Sequence, residues 1–100
     1  MNRLIAVLLP VLLLTGCAAP NVDDAYVAVV REVPALSEAG AADLTKLGRQ
    51  VCDILEDRGF AEGLTEFIRI AKETGMTAAE AGRVAGAASV AYCDEYADEF

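Results

Sequence analysis

The sequence predicts an all-α protein, a small bundle of about four helices stapled by one disulfide, placed after an N-terminal signal peptide. Three observations carry that expectation. Apolar residues recur at helical spacing through four stretches, each bounded by proline, glycine or a capping pattern. No strand-like alternation, internal repeat or low-complexity tract interrupts them. Of three cysteines, Cys17 closes the leader, and Cys52 and Cys93 lie in the helical part.

The leader opens with the single charge of Met1-Asn2-Arg3 and continues as an apolar stretch from Leu4 to Leu14, broken by Pro10. Its 11 residues are the length of a secretory signal core, whereas a membrane-spanning helix needs about 20. Leu14-Thr15-Gly16-Cys17 resembles the lipobox of bacterial lipoprotein signal peptides. That resemblance implies cleavage before Cys17, conversion of its thiol to a diacylglyceryl thioether, and a protein exported and anchored to the outer face of the membrane or cell envelope by lipid. Two or three acyl chains, at about 0.8 kcal/mol per buried methylene, make a stable anchor. Cleavage removes 16 of the 100 residues to leave 84, and the loss of Arg3 moves the formal charge from −8 to −9.

Acylation of Cys17 leaves two thiols in a chain that matures where oxidation is permitted, so Cys52 and Cys93 are expected to pair. Zinc needs more ligands than two cysteines, the chain has no histidine, and no C-x-x-C pair occurs. The negative charge argues against nucleic acid, since the seven remaining basic residues are scattered singly among carboxylates. It also leaves the acyl chains, not surface charge, to hold the protein to an anionic membrane.

The expected order of the mature chain is a lipidated tether at residues 17–21 and one helical domain at 22–100. Val22, Tyr26, Val29, Val30 and Val33 share a face of the first helix, with Asp23 and Asp24 favourably placed in its first turn and Pro34 ending it. Residues 35–40 read as a loop. The period resumes at Ala41 through Leu44, Leu47, Val51 and Leu55, and Gly59 after Arg58 is placed as a C-terminal cap. Phe60, Leu64, Phe67, Ile68 and Ala71 mark a third helix stopped by Gly75. Thr77-Ala78-Ala79-Glu80 is a capping box that opens a fourth, ending near Tyr92 or Cys93.

On that fourth helix Ala81, Ala85, Ala88 and Tyr92 form one stripe, and Gly82, Gly86, Ser89 and Cys93 the next. Gly82 and Gly86 permit close backbone approach, as Gly48 does beside Cys52. The second and fourth helices are therefore expected to cross tightly at those glycines, with the disulfide locking the contact. With many alanines and few large apolar side chains the core is thin, which makes a staple valuable.

Leu47-Gly48-Arg49-Gln50-Val51-Cys52, followed by Gly75-Met76-Thr77-Ala78-Ala79-Glu80-Ala81 and Val90-Ala91-Tyr92-Cys93, resembles the actinobacterial secreted family called domain of unknown function 732. The likeness runs from about Tyr26 to Tyr96, with Asp94 standing where many members have proline. It implies a small, disulfide-bridged helical envelope protein of mycobacteria and relatives, or of their phages, and it implies no activity.

No catalytic residues, metal ligands or cofactor are expected, and no enzyme. Histidine-based triads, Gly-x-Ser-x-Gly and phosphate-binding glycine loops are all absent from the sequence. The acidic run Asp94, Glu95, Asp98, Glu99 opposes the helix dipole and is expected to fray. Tyr92 is expected in the core beside the disulfide and Tyr96 as a half-buried cover. The functional expectation is a non-catalytic interaction module with an envelope-protein partner. The alternative is a carrier of a lipid or other small apolar molecule within the bundle. A filled core with an exposed apolar patch favours the first, and an apolar cavity of several hundred cubic ångströms the second.

Overall fold

A computed structural model describes residues 21–100, so the expected signal peptide, the Leu14-Thr15-Gly16-Cys17 motif and Ala18–Pro20 lie outside the described residues. Four α-helices follow one another: α1 at Val22–Val30, α2 at Ala41–Arg58, α3 at Phe60–Glu73 and α4 at Ala78–Tyr92. Short 3-10 turns at Pro34–Leu36 and Asp94–Glu99 complete the order, and the described residues include no strand.

Helix α1 is capped by Asn21, whose side chain accepts a 2.7 Å hydrogen bond from the Asp23 amide. It buries Tyr26, Val27 and Val30, and Val33 follows them into the core. Val22 and Val29, expected on the same buried face, are exposed. They sit on the flank of that face, where no neighbouring element covers them. The helix also ends four residues before Pro34: Glu32 and Val33 donate to Val29 and Val30, and this i−3 pattern tightens the last turn. Val33 is then extended, as a residue before proline prefers to be, and Pro34 starts a 3-10 turn inside the segment expected to be loop.

The other boundaries follow local chemistry. Gly59, at φ +87°, ends α2 and begins α3. Gly75, at φ +97°, ends α3 in a complete Schellman motif, with Met76 N–H donating to Ala71 and Gly75 N–H to Lys72. Buried Met76 seals that turn. Thr77 and Glu80 form the expected capping box, each side chain accepting from the other's backbone at 3.0 Å.

The core is made of small and medium side chains. Leu44, Val51 and Leu55 of α2 meet Phe67 and Ala71 of α3 and Ala81, Val84, Ala85 and Ala88 of α4. Helices α2 and α3 approach almost backbone to backbone at Gly63, where an added Cβ would lie 2.9 Å from both Ile54 O and Leu55 Cα. Cys52, midway along α2, is bridged to Cys93 at the end of α4, with Cα atoms 5.9 Å apart. Beside the bridge, Cys52 Sγ is 3.6 Å from the carbonyl of Ala88.

The expected crossing at the paired glycines is corrected by the structure. Gly48 does sit at a close approach: a Cβ there would lie 2.8 Å from Tyr26 Cζ and 2.8 Å from Tyr92 Cε2. Gly82 faces open space, and the nearest group to a Cβ on Gly86 is the Phe100 ring at 3.7 Å. The α4 glycines therefore lie outside the α2–α4 contact, which uses the alanine stripe instead.

The two kinds of glycine should respond oppositely to alanine. In urea unfolding, Gly48→Ala is expected to lose about 1–3 kcal/mol through overpacking against the two rings. Gly82→Ala should gain up to about 1 kcal/mol from helix propensity. Equal destabilisation by both would place the close packing on α4 after all. The same assay checks the staple: a bridge spanning 41 residues contributes about 4 kcal/mol, which reduction should remove.

Candidate functional site

Gly48 makes room for a group of side chains that ties α1 to α2 and α4. Tyr26 of α1 and Tyr92 of α4 meet edge to face, with centroids 5.3 Å apart and planes at 65°. The Arg49 guanidinium lies 4.4 Å from the Tyr92 ring centroid. The Tyr92 hydroxyl donates to the Asp23 carboxylate, and Arg49 reaches the same carboxylate at 3.8 Å. Burial and the hydrogen bond to Asp23 raise the Tyr92 pKa above the ordinary tyrosine value.

Tyr26 is the exception in this group. Its hydroxyl is buried and has no hydrogen-bond partner. Burial, together with the neighbouring Tyr92, pushes its pKa far up. Tyr92, adjacent in sequence to Cys93, is half-buried against the core and bonded to α1.

Tyr26 also borders an open groove of about 740 Å³ between α1 and α4. Val22, Ala25 and Val29 form one wall at helical spacing. Gly82, Gly86 and Val90, with Ala87 and Ala91, supply the floor and second wall. Phe100 folds back to one edge and stacks edge to face on Phe60, with centroids 5.0 Å apart. Four of the five exposed large apolar side chains among the described residues line this groove: Val22 at 54%, Val29 at 41%, Val90 at 69% and Phe100 at 48%, with Ile70 the fifth. Arg83 is its one charged lining residue, although the chain carries sixteen carboxylates.

Residues 22–95 match the family described as protein of unknown function (DUF732). The chain belongs to that family. No curated protein and no solved structure matches it.

The residues that carried the family resemblance have structural roles in this DUF732 domain. Cys52 and Cys93 are joined, Gly48 accommodates the tyrosine pair, and Met76 with Thr77 and Glu80 forms the turn into α4. Cys17 and its motif lie outside the described residues. The acidic run differs from expectation: Asp94–Glu99 forms a 3-10 helix instead of fraying. Tyr96, half-buried against the core, and Phe100, packed on Phe60, hold it down.

A depression of about 540 Å³ between α2 and α3 gathers Asp53, Asp57, Arg58 and Glu66. Glu66 there is held below the usual carboxylate range, first by its hydrogen bond from Arg69, whereas a general acid needs an upward shift. Among the described residues no group of three or more acidic or cysteine side chains could hold a metal ion, and no helix is long and apolar enough to cross a membrane.

Sequence reading missed the groove. The signal was present in Val22, Val29, Val90 and the glycine pair, but the fold-back of Phe100 depends on a contact with Phe60 that no local pattern announces.

Tyr26 supplies a test of the packed side of this region. Its folded-state pKa lies above the ordinary value of about 10, so neutral Tyr26 keeps its full contribution below that pH and loses it as pH rises further. Tyr26→Phe is expected to gain about 1 kcal/mol at neutral pH by removing the orphaned hydroxyl, and to blunt the alkaline loss of stability. Ultraviolet titration of the native protein should show the Tyr26 phenolate appearing only with unfolding.

Proposed function

We propose that this protein is a lipid-anchored, non-catalytic binding module of the cell envelope, with the groove between α1 and α4 as its contact surface. One observation carries the reading: four of the five exposed large apolar side chains among the described residues are gathered around one concave, almost uncharged strip of an otherwise acidic protein. A monomeric domain seldom leaves such a surface open without a use for it. The strip offers no nucleophile, carboxylate or histidine, so it can hold an apolar partner and has no means to transform it.

The lipobox at Leu14 to Cys17 supports export and acylation, and the family resemblance supports an envelope protein of actinobacteria or their phages. An interior carrier has less support. Val33, Val51, Leu55, Val84, Ala81, Ala85 and Ala88 pack to zero exposure, and the groove lies on the surface.

Anchoring is tested by intact mass and detergent phase partition of the native protein. The processed protein should begin at Cys17, carry a diacylglyceryl group and enter the detergent phase. Cys17→Ala should keep its leader and gain no acyl mass. Normal acylation and processing of that variant would refute the anchor.

A further inference from the structure

We infer that the α1–α4 groove takes an acyl chain of an anionic membrane phospholipid, with Arg83 at the phosphate. The inference rests on the proposed anchor and names the occupant of the same groove.

Reach is the first consideration. Four residues lie between Cys17 and Val22 at the groove wall, and those five residue steps span about 17 Å at most when fully extended. The polar layer of a leaflet is only about 5–8 Å thick. The tether is therefore long enough to let the groove touch the hydrocarbon and too short to lift it far from the membrane. Held there, the groove meets phospholipid at a far higher effective concentration than any soluble molecule.

Shape and lining come second. The wall from Val22 through Ala25 to Val29 rises about 10 Å along α1, and the opposite wall from Gly82 to Ala91 about 13 Å along α4. Between them the floor lacks a side chain at Gly82, with the Phe100 ring beside Gly86, so a thin, flexible apolar chain can lie close to the α4 backbone at Gly82. The one lining residue with a hydroxyl, Tyr26, has it on the far side, 2.9 Å from the Cβ position of Gly48. Apart from Arg83 at its edge, no side chain directed into the groove answers the hydrogen-bonding groups of an extended peptide. A hydrocarbon chain makes no such demand.

Charge is third. A protein of formal charge −9 after processing is repelled by an anionic leaflet, yet none of its sixteen carboxylates lines this face. The single charge that does, Arg83, has the sign that attracts phosphate, and its long side chain can keep the guanidinium at headgroup level while its methylenes lie against the groove.

The test is photolabelling of the mature lipidated protein in vesicles of phosphatidylcholine containing phosphatidylglycerol with a diazirine on one acyl chain, followed by peptide mapping. Labels are expected on residues 22–30 and 82–91. Gly82→Leu adds a side chain to the floor whose Cβ has open space around it, so it should keep or raise the melting temperature while cutting groove labelling about tenfold. Arg83→Gln should reduce the preference for phosphatidylglycerol over a diazirine phosphatidylcholine about fivefold while sparing the apolar contact.

Labels confined to the 17–21 peptide, or spread evenly over all four helices, would overturn the lipid assignment while leaving an anchored binding module intact. An unlabelled groove in the anchored protein would do the same and give the surface to a protein partner, a second copy or the protein's own acyl chain. Absence of the Cys17 acyl mass in the starting material would instead overturn the anchor itself, so the two failures are distinguishable.

Discussion

The Cys52–Cys93 bridge sets the one long-range distance on which the bundle depends. It ties the middle of α2 to the end of α4 in a core whose largest fully buried side chains are two leucines. Such a core gains little per residue from burial, and small domains of this kind rely on covalent staples. With α2, α3 and α4 drawn together, the alanine stripe of α4 is spent on the interior. The glycines on its neighbouring stripe are left facing outward.

Helix α1 then has only one place to dock. At nine residues it is too short to be stable alone, and it is held by burying Tyr26, Val27 and Val30 and by the contact of Tyr26 with Tyr92 over Gly48. This arrangement uses one side of α1 completely. Its other stripe, Val22, Ala25 and Val29, is carried to the rim of the molecule opposite the α4 glycines, and the groove between them follows from how the bundle closes. Even the unpaired Tyr26 hydroxyl belongs to this compromise: ring packing over Gly48 is retained at the cost of one buried donor without a partner. Arg83 supplies the one charged side chain in the groove lining.

How much of this was legible in the sequence depended on how local each cause was. Gly59, Gly75 and the Thr77–Glu80 box act within a few residues, and each lies at the helix boundary that its chemistry predicts. The pairing of Cys52 and Cys93 was legible because only two thiols remained once Cys17 was assigned elsewhere. Gly82 and Gly86 were misread because small residues say where a backbone can be approached and not which partner arrives. Gly63, a true backbone contact, sits unmarked in an ordinary amphipathic stretch. Val22 and Val29 share the helical period with the buried valines, so periodicity alone placed them inside. The tail was judged on its charges, while Tyr96 and Phe100, which hold it, act through contacts with distant parts of the chain.

The central proposal is that the apolar face left open between α1 and α4 is covered by membrane lipid, with the protein held there by the proposed anchor at Cys17. A nitroxide on Val90→Cys of the mature protein in vesicles tests it most directly, with Glu73→Cys on exposed α3 as the reference position. Relaxation of the label by dissolved oxygen and by a water-soluble nickel complex would be compared at the two sites. The account predicts that position 90 is relaxed mainly by oxygen, which concentrates in hydrocarbon, and position 73 mainly by the nickel complex. Equal access of the nickel complex to both positions would contradict it, because the groove would then face water in the anchored protein.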